Sequence, residues 1–149
     1  GTEEEALTRL SRVGFDNVLG YLQGGLEAWK LAGKEIDTIH QIETEQFVKE
    51  VKIGVSKVID VRKESEYEAQ HLEGAYSKPL AYINDWSKDI PNQHFYLHCA
   101  GGYRSLIAAS ILQARGYRNF TEIAGGFSAI SKTNLPTSNF VCQSKLQNN

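Results

Sequence analysis

The sequence predicts an α/β fold, a central, mainly parallel five-stranded sheet with helices on both faces. From Ile36 onward, five short β-rich runs alternate with stretches of helical spacing. Strands interleaved with helices imply parallel pairing through crossovers, and a parallel sheet needs cover on both faces. The chain has 149 residues, 41% hydrophobic and 23% charged, enough for one core and too few for two domains of ordinary size.

The first strand is expected at Ile39 to Ile42. Thr44 is placed to cap a helix running to about Val51, with Glu43 and Glu45 near its positive end. Phe47, Val48 and Val51 form the apolar stripe of that helix. The β-branched run Val55 to Val61 supplies a strand that brings Asp60 to its end, and Lys63 to Ala69 reads as a short helix. Tyr76 to Lys78 makes a brief strand closed by Pro79. Leu80 to Trp86 follows as a helical turn, and Pro91-Asn92 turns the chain into the strand Phe95 to Leu97. Leu106 to Leu112 are helically spaced, a helix stops at Gly116, and a last strand leads into Gly125-Gly126 and a closing helix. From Thr137 the pattern fades, and the tail is expected to be loosely held.

An internal repeat organises the N-terminal third. Arg12-Val13-Gly14-Phe15-Asp16-Asn17-Val18 and then Gly24-Gly25-Leu26-Glu27-Ala28-Trp29 parallel Ala114-Arg115-Gly116-Tyr117-Arg118-Asn119-Phe120 and then Gly125-Gly126-Phe127-Ser128-Ala129-Ile130. The period is about a hundred residues, the size of a domain. Each copy reads helix, glycine stop, strand, Gly-Gly, helix. Residues 1–36 are therefore expected to be the closing fragment of a preceding domain plus a linker, 37–136 a complete domain, and 137–149 a tail. In the fragment, Leu7, Leu10, Val13, Val18, Leu19, Tyr21, Leu22 and Trp29 lack a sheet of their own. Burying a large apolar side chain is worth about 1.5–3 kcal/mol, so residues 1–33 are expected to pack on the complete domain or on a partner chain, a homodimer included.

Composition narrows the function classes. A net charge of −2 gives no electrostatic reason to invoke nucleic acid or an anionic membrane surface. No apolar run approaches the ~20 residues that cross a bilayer, and the N-terminus shows no signal-peptide core, so a cytoplasmic location is expected. The four histidines form no paired helical motif and no CxxC occurs, so no metal is expected in this chain. Cys99 and Cys142 lie in unlike settings, which argues against a disulfide framework and makes Cys142 an incidental thiol.

Chemistry concentrates between Phe95 and Ser105. Cys99 falls at a strand's C-terminal end, as Asp60 does, and ligands of parallel sheets bind beyond such ends. Ala100 to Tyr103 must curl so that backbone N–H groups point inward, and the adjacent Gly101 and Gly102 permit the angles of such a nest. A helix N-terminus and Arg104 are expected to converge on the sulfur and favour the thiolate. Four residues separate Cys99 from Arg104, so the ring of amides is small and suits a single persulfide sulfur better than a phosphate monoester. Sulfur transfer leads on that geometry: Cys99 takes the outer sulfur of a donor and yields it to an acceptor nucleophile. A phosphatase or arsenate reductase of the same fold, and a non-catalytic module binding anions or persulfides, stand as alternatives. Asp60 is expected to cap a helix or hold the loop by hydrogen bonds rather than to transfer a proton, while Arg62 is either a surface ion pair or an attractor of anions. His71 reads as a hydrogen-bonded structural residue, and strand alternation points His98 away from Cys99. Tyr82, Trp86 and Tyr103 either shape the pocket mouth or pack in the ordinary way.

Asp60-Val61-Arg62, Glu66-Tyr67, His71-Leu72-Glu73-Gly74-Ala75, Cys99 to Arg104 and Gly125-Gly126 resemble the successive landmarks of a rhodanese homology domain, over about residues 37–134. The C-x4-R loop is similar to the six-residue sulfurtransferase form of that family and not to the C-x5-R form of its phosphatase relatives, in which the dipeptide His-Cys also occurs. The resemblance implies that Cys99 carries the persulfide and that Ala100, Gly101, Gly102, Tyr103 and Arg104 cradle it, with Asp60 and Arg62 in support. It implies small sulfur donors such as thiosulfate or glutathione persulfide, a thiol acceptor, and no cofactor in this chain. The tandem pattern also resembles the C-terminal portion of bacterial metallo-β-lactamase-fold hydrolases with two rhodanese domains, a class similar to glyoxalase II and persulfide dioxygenases. That second resemblance implies a zinc or iron site only in an upstream domain, to which Cys99 would pass sulfur for oxidation.

Overall fold

The computed structural model describes residues 1–11, 16–90 and 93–141, and the chain divides into two units, Gly1–Thr38 and Ile39–Asn149. Val13, Gly14, Pro91, Asn92 and Cys142, each assigned a role above, lie outside the described residues.

The first unit contains α1 (Glu3–Ser11) and α2 (Gly25–Leu31). Glu3, Glu4 and Glu5 occupy the first turn of α1, where the helix dipole favours negative charge. The strand expected between the two helices is not formed among the described residues 16–24. A strand is stabilised by pairing its backbone with a neighbour, and the described residues of this unit offer none. No residue of α2 is buried, and Leu19 and Leu31 are 92% and 89% exposed.

The second unit runs β1 (Gln41–Ile42), α3 (Thr44–Glu50), β2 (Lys57–Asp60), α4 (Glu64–Ala69), β3 (Tyr76–Ser77), α5 (Ile83–Trp86), β4 (Phe95–His98), α6 (Tyr103–Ala114), β5 (Phe120–Ile123) and α7 (Gly126–Ile130). The five strands lie in the order β1-β5-β4-β2-β3. Every pairing is parallel, so the sheet is all-parallel where the sequence predicted mainly parallel. β4 is central and buried along its whole length, which is what the aromatic and apolar run Phe95-Tyr96-Leu97 requires.

Alternation along the strands divides the core. Ile59, Phe95, Leu97 and Phe120 pack with Ile83 and Trp86 of α5 and with Ala108, Ala109 and Leu112 of α6. Val58, Tyr96 and Ile123 pack with Phe47 of α3 and Phe127 and Ile130 of α7. A period of two thus sends neighbouring side chains to opposite faces, and each face receives its own helices. Rings lock both layers: Phe95 stacks on Phe120 at 5.5 Å, and Phe47 meets Tyr96 edge-on at 5.0 Å.

Two local expectations are corrected. Thr44 is the first residue of α3, not its cap, and its hydroxyl donates to the Ala124 carbonyl at 2.8 Å, tying α3 to the end of β5. The start of the tail is held, not loose. Ser138 N–H donates to His71 O at 2.9 Å and Val141 N–H to Ala69 O at 2.8 Å, beside an antiparallel bridge between Leu72 and Thr137. One carbonyl belongs to the last residue of α4 and the other lies two residues beyond it, where no helical N–H follows to pair with them, so the tail satisfies them.

Candidate active site

β4 ends at His98 and α6 starts at Tyr103, leaving residues 99–102 to make the loop. Gly102 is the residue before α6 and has φ +106°, a conformation that side chains other than glycine rarely adopt. The Gly102 N–H donates to the Cys99 sulfur at 3.2 Å, and the positive φ turns the chain from the loop into α6. Gly101 is not in the left-handed region, so one twisted glycine shapes the nest instead of the two expected.

Cys99 is 1% exposed, and the Ser105 hydroxyl lies 3.4 Å from its Sγ. Burial pushes the thiol pKa up, but the Ser105 hydroxyl and the N–H groups of Ser105, Gly102 and Gly101 outweigh it, and the net shift is downward. The loop is fixed from behind by the second glycine turn. Phe127 N–H donates to Cys99 O at 2.7 Å and Ser128 N–H to Ala100 O at 2.9 Å. This close approach explains Gly126: a Cβ there would stand 2.4 Å from the Cys99 carbonyl oxygen.

Arg104 departs from expectation. Its guanidinium forms a two-pronged pair with Glu66 of α4, Nη1 to Oε2 at 2.6 Å and Nη2 to Oε1 at 2.9 Å. Hydrogen bonding to Glu66 is the main influence raising its pKa, and the charge on Cys99 adds to it, so the cation lies within electrostatic reach of the sulfur while its hydrogen bonds go elsewhere. Arg104 in turn holds the Glu66 carboxyl below the usual carboxylate range. Arg62 is neither a surface pair nor an open anion attractor: it is 5% exposed and clamps the fully buried Asp60, with Nη2–Oδ2 at 2.6 Å and Nε–Oδ2 at 2.8 Å. It also donates to the Gln70 carbonyl at 2.8 Å and lies 4.1 Å over the Phe127 ring. Asp60 and Arg62 therefore brace the ends of β2 and α4 beneath the loop.

Residues 43–133 match the family model of the rhodanese-like domain. The chain belongs to the rhodanese-like domain family. It is 33% identical over 81 residues to the Rhodanese-like/PpiC domain-containing protein 12, chloroplastic, of Arabidopsis thaliana, covering 51% of this chain and 27% of that protein. It is 27% identical over 97 residues to the putative sulfur carrier protein YrkF of Bacillus subtilis, covering 64% of this chain and 52% of that protein. A crystal structure of a rhodanese-like domain protein from Staphylococcus aureus superposes with a TM-score of 0.58 at 25% identity, over 68% of this chain and all of that one. The chain thus spans about a quarter to a half of the curated relatives named here.

Within this rhodanese-like domain the remaining candidates fall into place. The His71 ring stacks on Tyr67 at 3.8 Å, and its Nδ1 lies 2.7 Å from the Tyr67 carbonyl. His98 is fully buried on the α7 side, stacked toward Phe127, and burial lowers its pKa. Trp86 belongs to the core and donates Nε1–H to Pro79 O at 2.9 Å, whereas Tyr82 and Tyr103 are exposed. Among the described residues, no helix is long and apolar enough to cross a membrane. Three contributors to the site lay outside the sequence reading's site residues. Glu66 belongs to the Glu66-Tyr67 landmark, which by itself implies no role for the carboxylate. Ser105 closes the loop motif, and nothing local shows that its hydroxyl reaches the sulfur. Glu122 left a detectable signal, a carboxylate inside the β-rich run Phe120-Thr121-Glu122-Ile123.

Proposed function

We propose that this chain is a sulfur carrier and sulfurtransferase whose Cys99 holds sulfane sulfur as a persulfide. The observation that carries this reading is a buried cysteine with a depressed pKa, whose sulfur receives the Gly102 N–H at 3.2 Å in a loop too short for a wide oxyanion. The match to the family and the likeness to a putative sulfur carrier protein support it.

In the loading step the Cys99 thiolate attacks the outer sulfur of a donor such as thiosulfate. The new S–S bond forms as the donor's S–S bond breaks, and sulfite leaves with the electron pair. A glutathione persulfide donor would release glutathione thiolate in the same way. In the delivery step an acceptor thiolate attacks the outer sulfur and Cys99 leaves as thiolate. The N–H groups of Gly101 and Gly102 face the negative sulfur throughout. Arg104 has five N–H donors, and the two bound to Glu66 leave others for an anionic donor. The family match extends to the rhodanese-like domain, and fusion to a metallo-β-lactamase-fold hydrolase enters no step here.

The test is intact-protein mass spectrometry after incubation with thiosulfate or glutathione persulfide. One added sulfur on the wild type, absent from Cys99→Ser, is the expected result. No added sulfur, or its persistence in Cys99→Ser, would remove the reading. Turnover of an aryl phosphate would replace it with the phosphatase alternative.

A further inference from the structure

Glu122 is a fully buried carboxylate on β5, and it joins no ion pair among the described residues. Taking a carboxylate out of water with no cation beside it is costly, so its placement calls for a reason. Its partners are two donors: Ser105 Oγ–H at 2.5 Å from Oε1 and Gln41 Nε2–H at 2.5 Å from Oε2. By register its neighbour on β4 is Leu97.

Ser105 stands between this carboxylate and the reactive sulfur. Its Oγ lies 2.5 Å from Glu122 Oε1, 2.9 Å from Gly102 O and 3.4 Å from Cys99 Sγ. A hydroxyl has one proton to donate, so it cannot serve all three. When Glu122 is ionised and takes that proton, the Ser105 oxygen offers lone pairs to a Cys99 thiol. When Glu122 holds a proton, it donates to the Ser105 oxygen, and the Ser105 hydroxyl is released toward a Cys99 thiolate.

We propose that Glu122, acting through Ser105, is the internal proton store of Cys99, so that cysteine and carboxyl share one proton. In the transfer, the S–H bond of Cys99 breaks as an O–H bond forms at Ser105 Oγ. The original Ser105 O–H breaks as an O–H bond forms at Glu122 Oε1. One negative charge moves from carboxylate to sulfur, with no other reactant. Glu122 is a positioning residue, since it touches no reacting sulfur. The purpose of the relay rests on the sulfur-carrier reading: at rest the ionised Glu122 keeps Cys99 a thiol, and during loading it takes the proton for which a cysteine that is 1% exposed has little solvent.

The other charged and titratable groups on the elements nearest the pair lie on α6, α4, β2 with the residues just after it, and β4. α6 contributes Arg104, held by Glu66 of α4. The end of β2 contributes Asp60, clamped by Arg62. β4 contributes His98, on the opposite face from Cys99. β1 contributes only the neutral Gln41.

A merely structural Glu122 would tie β1 to α6 without affecting the sulfur, and substitution by glutamine separates the two roles. The amide can still accept from Gln41 and donate to Ser105, which imitates the protonated carboxyl. The measurement is the rate of alkylation of Cys99 by iodoacetamide against pH, in the full chain carrying Cys142→Ser. Glu122→Gln is expected to lower the midpoint by about one unit, which is about tenfold faster alkylation below the parent midpoint. An unchanged midpoint in the folded variant would overturn the proposal. Ser105→Ala is expected to raise the midpoint and to abolish most of the effect of Glu122→Gln; an undiminished effect in the double variant would reduce Glu122 to a distant charge. If Glu122→Gln fails to fold, the carboxyl carbon resonance of Glu122 is titrated in the parent and in Cys99→Ser. A displaced midpoint supports the shared proton, and an identical one overturns it. No sulfur donor is used, so failure of the relay and failure of sulfur loading are told apart.

Discussion

The chain contains the same glycine turn twice, and the two copies differ only in what surrounds them. Gly24 and Gly25 have φ of 78° and 59°, and Gly125 and Gly126 have 76° and 54°. In both, the N–H four residues after the first glycine donates to its carbonyl at 3.3 Å, from Ala28 to Gly24 and from Ala129 to Gly125. The helix after the first turn buries nothing, while the helix after the second buries Gly126, Phe127 and Ile130 and grips the Cys99 loop. Turn geometry is thus set locally by the glycine pair and an alanine four positions on. Burial and chemistry depend on a sheet that, among the described residues, only the second unit provides.

The largest separation between the copies is expected from alanine substitution at the second glycine. In Gly126→Ala the Cβ stands 2.4 Å from the Cys99 carbonyl oxygen at φ +54°, so overpacking and backbone strain should together cost about 4 kcal/mol in urea denaturation, with persulfide loading lost. In Gly25→Ala nothing lies within 4 Å, and the strain alone should cost about 1 kcal/mol. Equal costs would erase the contrast.

Charge pairs give the next contrast. Arg62→Met leaves Asp60 buried without its cation and should destabilise by about 3 kcal/mol. Glu27→Gln removes the exposed pair with Lys30 and should cost at most about 0.5 kcal/mol. A neutral Arg62→Met would show that the clamp is dispensable.

Within the loop, Gly102→Ala must hold φ near +106° and should cost about 1.5 kcal/mol, whereas Gly101→Ala meets open space at an ordinary φ and should stay within about 0.5 kcal/mol. A reversal of that order in thermal melts would move the strain to the other glycine.

The smallest effect is pH-dependent. Because Arg104 lowers the folded pKa of Glu66, the stability this carboxylate contributes is present above the unfolded carboxyl value and is lost as pH falls through the lowered folded value. Wild type should exceed Glu66→Gln by about 0.5 kcal/mol at neutral pH, the pair being only partly buried and still screened by solvent, and the two should converge in acid. An advantage that grows on acidification contradicts the pairing.

Strand identity, the parallel sheet and the position of Cys99 were legible because they rest on local patterns: β-branched runs, glycine stops, and a cysteine between a strand and a helix. What the sequence did not disclose depends on partners distant along the chain. Arg104 lies 38 residues from Glu66 in sequence, and no local rule pairs them. Thr44 looks like a cap because threonine at a helix start usually is one, but the Ala124 carbonyl, 80 positions away, claims its hydroxyl. The strand expected in the N-terminal fragment has the composition of one, and composition cannot supply the neighbouring backbone that a strand needs.

The hydrogen bonds from Phe127 and Ser128 to the carbonyls of Cys99 and Ala100 have one more consequence. Each carbonyl belongs to the same rigid plane as the next residue's N–H, so anchoring these oxygens fixes the orientation of the Ala100 and Gly101 amides. Those peptide planes cannot flip to greet a ligand and have no need to. The ordering entropy falls on folding rather than on binding, so under the proposed function an anionic donor would find its dipoles already aligned.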